Sequence, residues 1–295
     1  MSVLQKEAIH KRTKRKLVIN VIARKLFFTS TLFALVTLAI LLFRIVTDGI
    51  DYISLDFLTG RLSTDVERAG IYGAILGTAW LMLVVTPVTI VIGVGTAIYL
   101  ELYAKDGKLR SFLQINIRNL AGVPSIVYGI LGLTVFVRGL QLGNVILAGG
   151  LTMALLILPI TIVASSEALQ SVPHYVAEAS YGMGATKWQT IRHIILPAAL
   201  PSIITGAILS LSRAIGETAP LIVIGIPALL IPLPGSLFDT FTVLPVQIYY
   251  WTLDSTLVAE YANLAAATII VLLFLLAILN GVAIYIRNKF THRFE

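Results

Sequence analysis

The stretch from Glu178 to Pro197 reads Glu-Ala-Ser-Tyr-Gly-Met-Gly-Ala-Thr-Lys-Trp-Gln-Thr-Ile-Arg-His-Ile-Ile-Leu-Pro, a polar interruption in an otherwise apolar chain. Just before it, Pro173 has no N–H to lose at a helix start, which predicts a short helix from there. The triplet Gly182-Met183-Gly184 breaks that helix, because glycine alone reaches positive φ without steric cost. Thr186 and Gln189 stand at capping-box spacing and predict a second short helix. Pro197 is expected to end it and to start the next long apolar segment. The expected shape is two short helices around a glycine elbow at a membrane surface. It suits a knob for a socket on another protein; the bland alternative is an amphipathic surface helix without a partner.

The composition around this stretch fixes the class. Of 295 residues, 57% are hydrophobic and 13% charged, with a mean hydropathy of +0.91. Soluble domains carry about 25% charged residues, so the chain is a polytopic membrane protein. There are no cysteines, which excludes a disulfide framework and thiolate chemistry. His10, His174, His193 and His292 are scattered, and none pairs with a second ligand at metal spacing. No cofactor is implied.

The net charge of +7 would fit nucleic acid, but its distribution fits topology better. Residues 1–25 carry eight Lys and Arg residues against Glu7 alone. An apolar run, Leu26 to Val46, follows at once, so they read as a basic cytosolic tail rather than a nucleic-acid arm. The basic region is too long for a cleavable signal, and no A-x-A site follows the apolar run. The segment 26–70 is then a first span and an acidic external loop. Further spans are expected at Ile71–Leu100, Asn119–Val137, Val145–Ala164, Ala198–Ile226 and Tyr261–Ile286, each long enough for about 30 Å of hydrocarbon. Ala121-Gly122-Val123-Pro124-Ser125 implies a broken first turn in the third, tolerated where protein or water satisfies the backbone. Residues 226–260 hold no Lys or Arg and read as an external loop. The tail 288–295 is basic again, which gives six spans with both ends inside.

Catalytic chemistry is missing. Gly182 to Lys187 has a superficial likeness to a phosphate loop but lacks its Gly-Lys-Ser/Thr ending and any preceding strand. No serine has a partnered base, and no carboxylate pair is placed to activate water, so the chain is not expected to be an enzyme. The fifth span holds one unusual constellation. Ser202, Gly206, Ser210, Arg213 and Glu217 follow four, four, three, four spacing and fall on one helix face. A charge at mid-membrane costs roughly 2.5–3.5 kcal/mol on insertion scales. Arg213 and Glu217 therefore read as the polar wall of an anion path or as an ion pair bracing the bundle.

Glu178-Ala179-Ser180, then Gly184, then Ile194-Ile195-Leu196-Pro197 resembles the EAA loop of binding-protein-dependent ABC importer permeases. Only Ser180 departs, where a second alanine is usual. The resemblance implies that Glu178, Ala179, Gly184, Leu196 and Pro197 couple to a cytosolic ATPase. Leu211-Ser212-Arg213-Ala214-Ile215-Gly216-Glu217-Thr218-Ala219-Pro220 resembles the matching helix of PstA-type phosphate permeases, and Ile117 to Gly129 resembles the start of their third span. Ala74–Thr78 and Leu244–Tyr249 fit as well, so the likeness covers about residues 26 to 287. The Gly216-Glu217-Thr218-Ala219 run favours the PstA type over the PstC type.

The resemblance implies an all-α membrane protein of six transmembrane helices with the type I ABC importer permease (MetI-like) fold. Residues 71–287 would form its core and 173–197 its coupling loop. It implies inorganic phosphate as cargo, with Arg213, Glu217, Ser210 and Arg118 along the substrate path. The implied partners are a PstC-like second permease, a PstB-like ATPase dimer, a PstS-like external binding protein and membrane lipid; no nucleic acid is implied. Two alternatives stay open: a permease for molybdate, tungstate or sulfate, and a stand-alone secondary transporter, which would have no need of a docking knob.

Overall fold

In the computed structural model the chain is described over residues 3–227 and 232–291. Outside these lie residues 1–2 and 292–295, the ends of the two expected basic tails, and residues 228–231 within the expected external loop. All regular structure among the described residues is helical, with a single isolated bridge between Val145 and Thr240. Helices satisfy their own backbone donors and acceptors, as a bilayer interior demands. The chain divides into two compact units, the first ending at Asp48 and the second starting at Gly49. The first is one helix, α1 (Val3–Gly49), carrying the apolar run expected as the first span.

In the second unit, α2 (Leu55–Thr59) starts at Ser54, whose side chain accepts the N–H of Phe57. Three long helices follow the expected spans: α3 (Tyr72–Tyr103), α6 (Ile146–Gln170) and α11 (Glu260–Thr291). Five described helices are long and apolar enough to cross a bilayer, six if a bent pair counts as one span. That pair is α4 (Lys108–Leu120) and α5 (Ser125–Gly139), meeting at 101°. The expected third span, Asn119–Val137, is therefore broken at residues 121–124 and not continuous from Asn119. The break at residues 121–124 is where Pro124 cannot extend a helix backwards. Asn119 and Leu120 belong instead to an amphipathic helix whose inner face is Arg110, Gln114 and Ile117.

The fifth span also departs from expectation, at both ends. Helix α8 runs unbroken from Lys187 to Gly216, so Pro197 does not end the second short helix. The reason is a π-helical segment, Ile191–Ile195, closed by Leu196 N–H to the Ile191 carbonyl. Its wider turn makes room for the proline ring, which in an α-helix would strike the carbonyl four residues back. At the other end α8 stops at Gly216, ten residues early. Glu217 is extended, and α9 (Ala219–Val223) follows with Pro220 in its first turn. A glycine turn follows at Gly225, φ +83°.

The stretch expected as a plain external loop contains α10 (Leu244–Asp254), with Leu244, Pro245, Val246, Gln247 and Trp251 buried. Thr78 ties it to α3: its hydroxyl donates to the Ala74 carbonyl at 2.7 Å and accepts the Leu244 N–H at 3.1 Å. Trp251 stacks on Phe57 with ring centroids 6.3 Å apart. Close helix approach uses small residues. An added Cβ on Gly206 of α8 would lie 2.7 Å from Ala164 of α6.

Candidate functional site

The conspicuous surface feature of the second unit is the connection between α6 and α8. Helix α7 (His174–Gly182) starts after Pro173, as the sequence predicts. It ends on Met183 and Gly184, the latter at φ +84°. The N–H of Ala185 reaches the Ser180 carbonyl at 3.2 Å, and that of Gly184 the Tyr181 carbonyl at 2.9 Å. These two bonds form a Schellman motif with Gly184 in the left-handed position. Gly182, the other glycine of the triplet, remains inside the helix.

One residue later α8 opens with the capping box. The Thr186 N–H donates to Gln189 Oε1 at 2.8 Å, while the Gln189 N–H donates to Thr186 Oγ1 at 3.4 Å. Both sides of the elbow therefore have their end groups satisfied locally, and the turn needs no partner to hold its shape. Its outer surface is apolar and aromatic: Met183 is 88% exposed, Tyr175 69% and Trp188 58%. Glu178 and Ala179 lie exposed on α7, whereas Leu196 and Pro197 are half-buried in α8. Large exposed apolar side chains mark a contact with another protein or with the membrane.

Sequence reasoning missed the elbow's base. Ile191, Ile195, Ala199 and Ile203 of α8 form one buried cluster with Ala97 of α3 and Ala168 and Leu169 of α6. Lys187 lies over the ring of Tyr103, 5.0 Å from its centre. Next to it, Glu101 is nearly enclosed, its side chain 6% exposed. It accepts Arg110 Nη2 at 3.0 Å and Gln114 Nε2 at 3.1 Å. Arg110 also pairs with Asp106. The signal was present: one acid closing an apolar run, with a base nine residues on across a turn.

The expected polar stripe is divided in the structure. Ser210 turns into the packed side of α8 with Ile203, Ala207 and Ala214, and its hydroxyl donates to the Gly206 carbonyl at 2.9 Å. Ser202 and Arg213 are exposed. Arg213 lies in the last turn of α8, where a cation also meets the helix dipole favourably. Its side chain is 54% exposed, and Glu217, 19% exposed, sits beyond the helix end. Arg213 Nε reaches Glu217 Oε1 at 3.3 Å, and among the described residues this is its one bond, with neither terminal amino group of the fork engaged. Arg118 lies elsewhere, lining a small cleft with Glu101, Gln114 and Glu167 at the elbow end of α6. The structure thus brings Arg213 to Glu217 and brings neither Ser210 nor Arg118 to them.

At the end of the bundle away from the elbow, the connections are tied together. Asn144 donates to the Gly225 carbonyl at 3.0 Å, and Tyr250 to that of Ile226 at 3.3 Å. Asp239 accepts the N–H groups of Gly235 and Ser236, both at 2.8 Å. These bonds hold its carboxyl below the usual carboxylate range.

Comparison with known proteins places this geometry. Residues 89–291 match the family described as binding-protein-dependent transport system inner membrane component. A phosphate transport system permease protein PstA of Yersinia pestis is 32% identical over 279 residues, 92% of this chain and 91% of that one. The probable ABC transporter permease protein YqgI of Bacillus subtilis (strain 168) is 34% identical over 178 residues, 60% of each chain. Among solved structures, an inward-facing MetNI methionine ABC transporter superposes with a TM-score of 0.59 at 18% identity. That match covers 75% of this chain and 95% of the other. The fold is therefore that of an ABC importer permease, and the chain belongs to the family of binding-protein-dependent transport system inner membrane components.

Proposed function

We propose that the chain is a membrane subunit of an ATP-driven importer of inorganic phosphate, pairing with a second permease to enclose the path. The observation that carries the coupling half of this reading is the self-sufficient elbow at residues 182–186, with its exposed aromatic surface. It is the docking knob for a cytosolic ATPase, and Glu178 and Ala179 flank the contact. The likeness to PstA proteins over nearly the whole chain supports phosphate as the cargo. The basic segments at 1–25, 105–118 and 287–289 support an orientation with the elbow and both termini in the cytosol. The opposite face, which carries Asp51, Asp56, Asp65, Glu67, Asp239 and Glu260, then receives an external binding protein.

Arg213 supplies the anion contact. A dehydrating phosphate needs replacement donors, and guanidinium offers paired N–H groups that fit two phosphate oxygens. Glu217 holds one edge of the fork and keeps binding weak enough for release. ATP hydrolysis belongs to the partner, and the purified chain alone binds no ATP. The test is uptake in a strain lacking other phosphate importers, with and without this gene. Loss of labelled phosphate uptake alone supports the reading; loss of molybdate or sulfate uptake with phosphate intact overturns the assigned cargo.

A further inference from the structure

Two hydroxyls inside the elbow have no part in the docking surface. Ser180 on α7 is 6% exposed and Thr190 on α8 fully buried, with their side-chain oxygens 2.8 Å apart. Ser180 is the position where the coupling-loop pattern departs from alanine. Its carbonyl also accepts the Ala185 N–H, so one residue holds the turn from two sides. Ten residues apart in sequence, the hydroxyl pair is, among the described residues, the one direct side-chain hydrogen bond that crosses from α7 to α8. The rest of the joint is the apolar packing of Ala177 against the cluster of Ile191 and Ile195 and the short backbone turn through Gly184, whose surroundings are open.

We propose that the Ser180–Thr190 pair is a latch that fixes the angle between α7 and α8, making Ser180 a positioning residue for transport. The inference rests on the docking reading above. Displacement of α7 by a docked ATPase reaches the membrane through α8, because α8 continues unbroken from the elbow to Gly216. With the hydroxyls bonded, α7 and the start of α8 move as one piece. Without the bond the turn at Gly184 flexes and absorbs part of the displacement. A serine here therefore gives a stiffer joint than the packing of an alanine.

The test uses the assembled transporter in proteoliposomes with its binding protein, measuring phosphate taken up per ATP hydrolysed. Ser180→Ala leaves the Thr190 hydroxyl free to turn to the carbonyl four residues back, so it is compared with the near-isosteric Thr190→Val. The double variant leaves no hydroxyl unpaired. In all three, uptake per ATP should fall by about fivefold, the equilibrium value of one buried hydrogen bond, while the ATPase still co-purifies. Thr190→Ser keeps the bond and should keep the wild-type ratio. An unchanged ratio in the single variants overturns the latch. So does recovery in the double variant, which would trace the defect to an orphaned hydroxyl. Absence of the ATPase from the wild-type preparation would overturn the docking reading, and the latch with it; an unchanged ratio touches the latch alone.

Discussion

Replacing Gly184 by a residue with a side chain perturbs the elbow through the backbone alone. At φ +84° an added Cβ would meet nothing within 4 Å, so no clash with neighbours enters. An L-residue held in the left-handed region costs about 1–2 kcal/mol, and a β-branched one more. If the turn relaxes instead, the two bonds to Ser180 and Tyr181 are lost at about 0.5–1.5 kcal/mol each. Both routes arrive at about 1–3 kcal/mol, a factor of roughly 5–150 in the fraction of elbows correctly shaped. Asparagine tolerates the left-handed region and should fall between glycine and alanine. ATPase co-purification, titrated against ATPase concentration, should therefore weaken in the order Gly, Asn, Ala, Val. Membrane abundance should stay level, because the elbow's end bonds are local and separate from the span core. Equal docking by the valine and asparagine variants would refute the reasoning, since no backbone argument then separates them.

The Arg213–Glu217 pair makes a sharper claim. Arg213→Ala should abolish phosphate uptake and Arg213→Lys impair it strongly, while the double change to leucine assembles but does not transport; near-normal uptake by that double variant would reduce the pair to a brace. For Asp239, the lowered native pKa means stability that is present above the usual value of 3.8 and lost as pH falls through the native one. The gap in melting temperature between wild type and Asp239→Asn should hold from neutral pH to about pH 5 and narrow in stronger acid; a gap independent of pH would contradict this. Gly129→Ala places a Cβ 2.8 Å from Pro220 Cα and 2.9 Å from Val223 Cβ, forcing α9 off α5. Overpacking of this kind costs about 1–3 kcal/mol, and detergent melting should show it; an unchanged midpoint would mean α9 is free to shift.

The elbow was legible because its signals are local. Gly184 ends one helix and the Thr186–Gln189 box starts the next within a few residues, and each acts through its own backbone. The unbroken course of α8 through Pro197 was not legible, because a π turn is a change of hydrogen-bond register with no residue type of its own. The burial of α10 was hidden for a different reason. Absence of Lys and Arg marks a segment as non-cytosolic but does not separate an exposed loop from a buried helix. The helical spacing of Leu244, Gln247 and Trp251, three and four residues apart, was the signal available. The polar stripe on α8 misled because an ideal wheel spreads residues 202 to 217 over a broad arc, and the packing boundary with α6 cuts through that arc at Gly206 and Ser210. The early end of α8 was written in Gly216 and Pro220, and the length of the apolar run outweighed them.

The unbroken course of α8 has a mechanical consequence. Thirty residues from Lys187 to Gly216 make a rod of about 45 Å at the usual helical rise. Lys187 sits at the elbow and Arg213 in the far last turn. A tilt of about 5° about the elbow end carries the far end through about 4 Å by simple arc length over that rod. Glu217 caps the same helix end, with its N–H on the Ala214 carbonyl at 3.3 Å, so Arg213 and Glu217 travel together. The lever therefore converts a sub-ångström shift per turn into an ångström-scale displacement of the intact pair at the far end. The π segment at Ile191–Ile195 sets how much of the motion is spent in bending before it arrives.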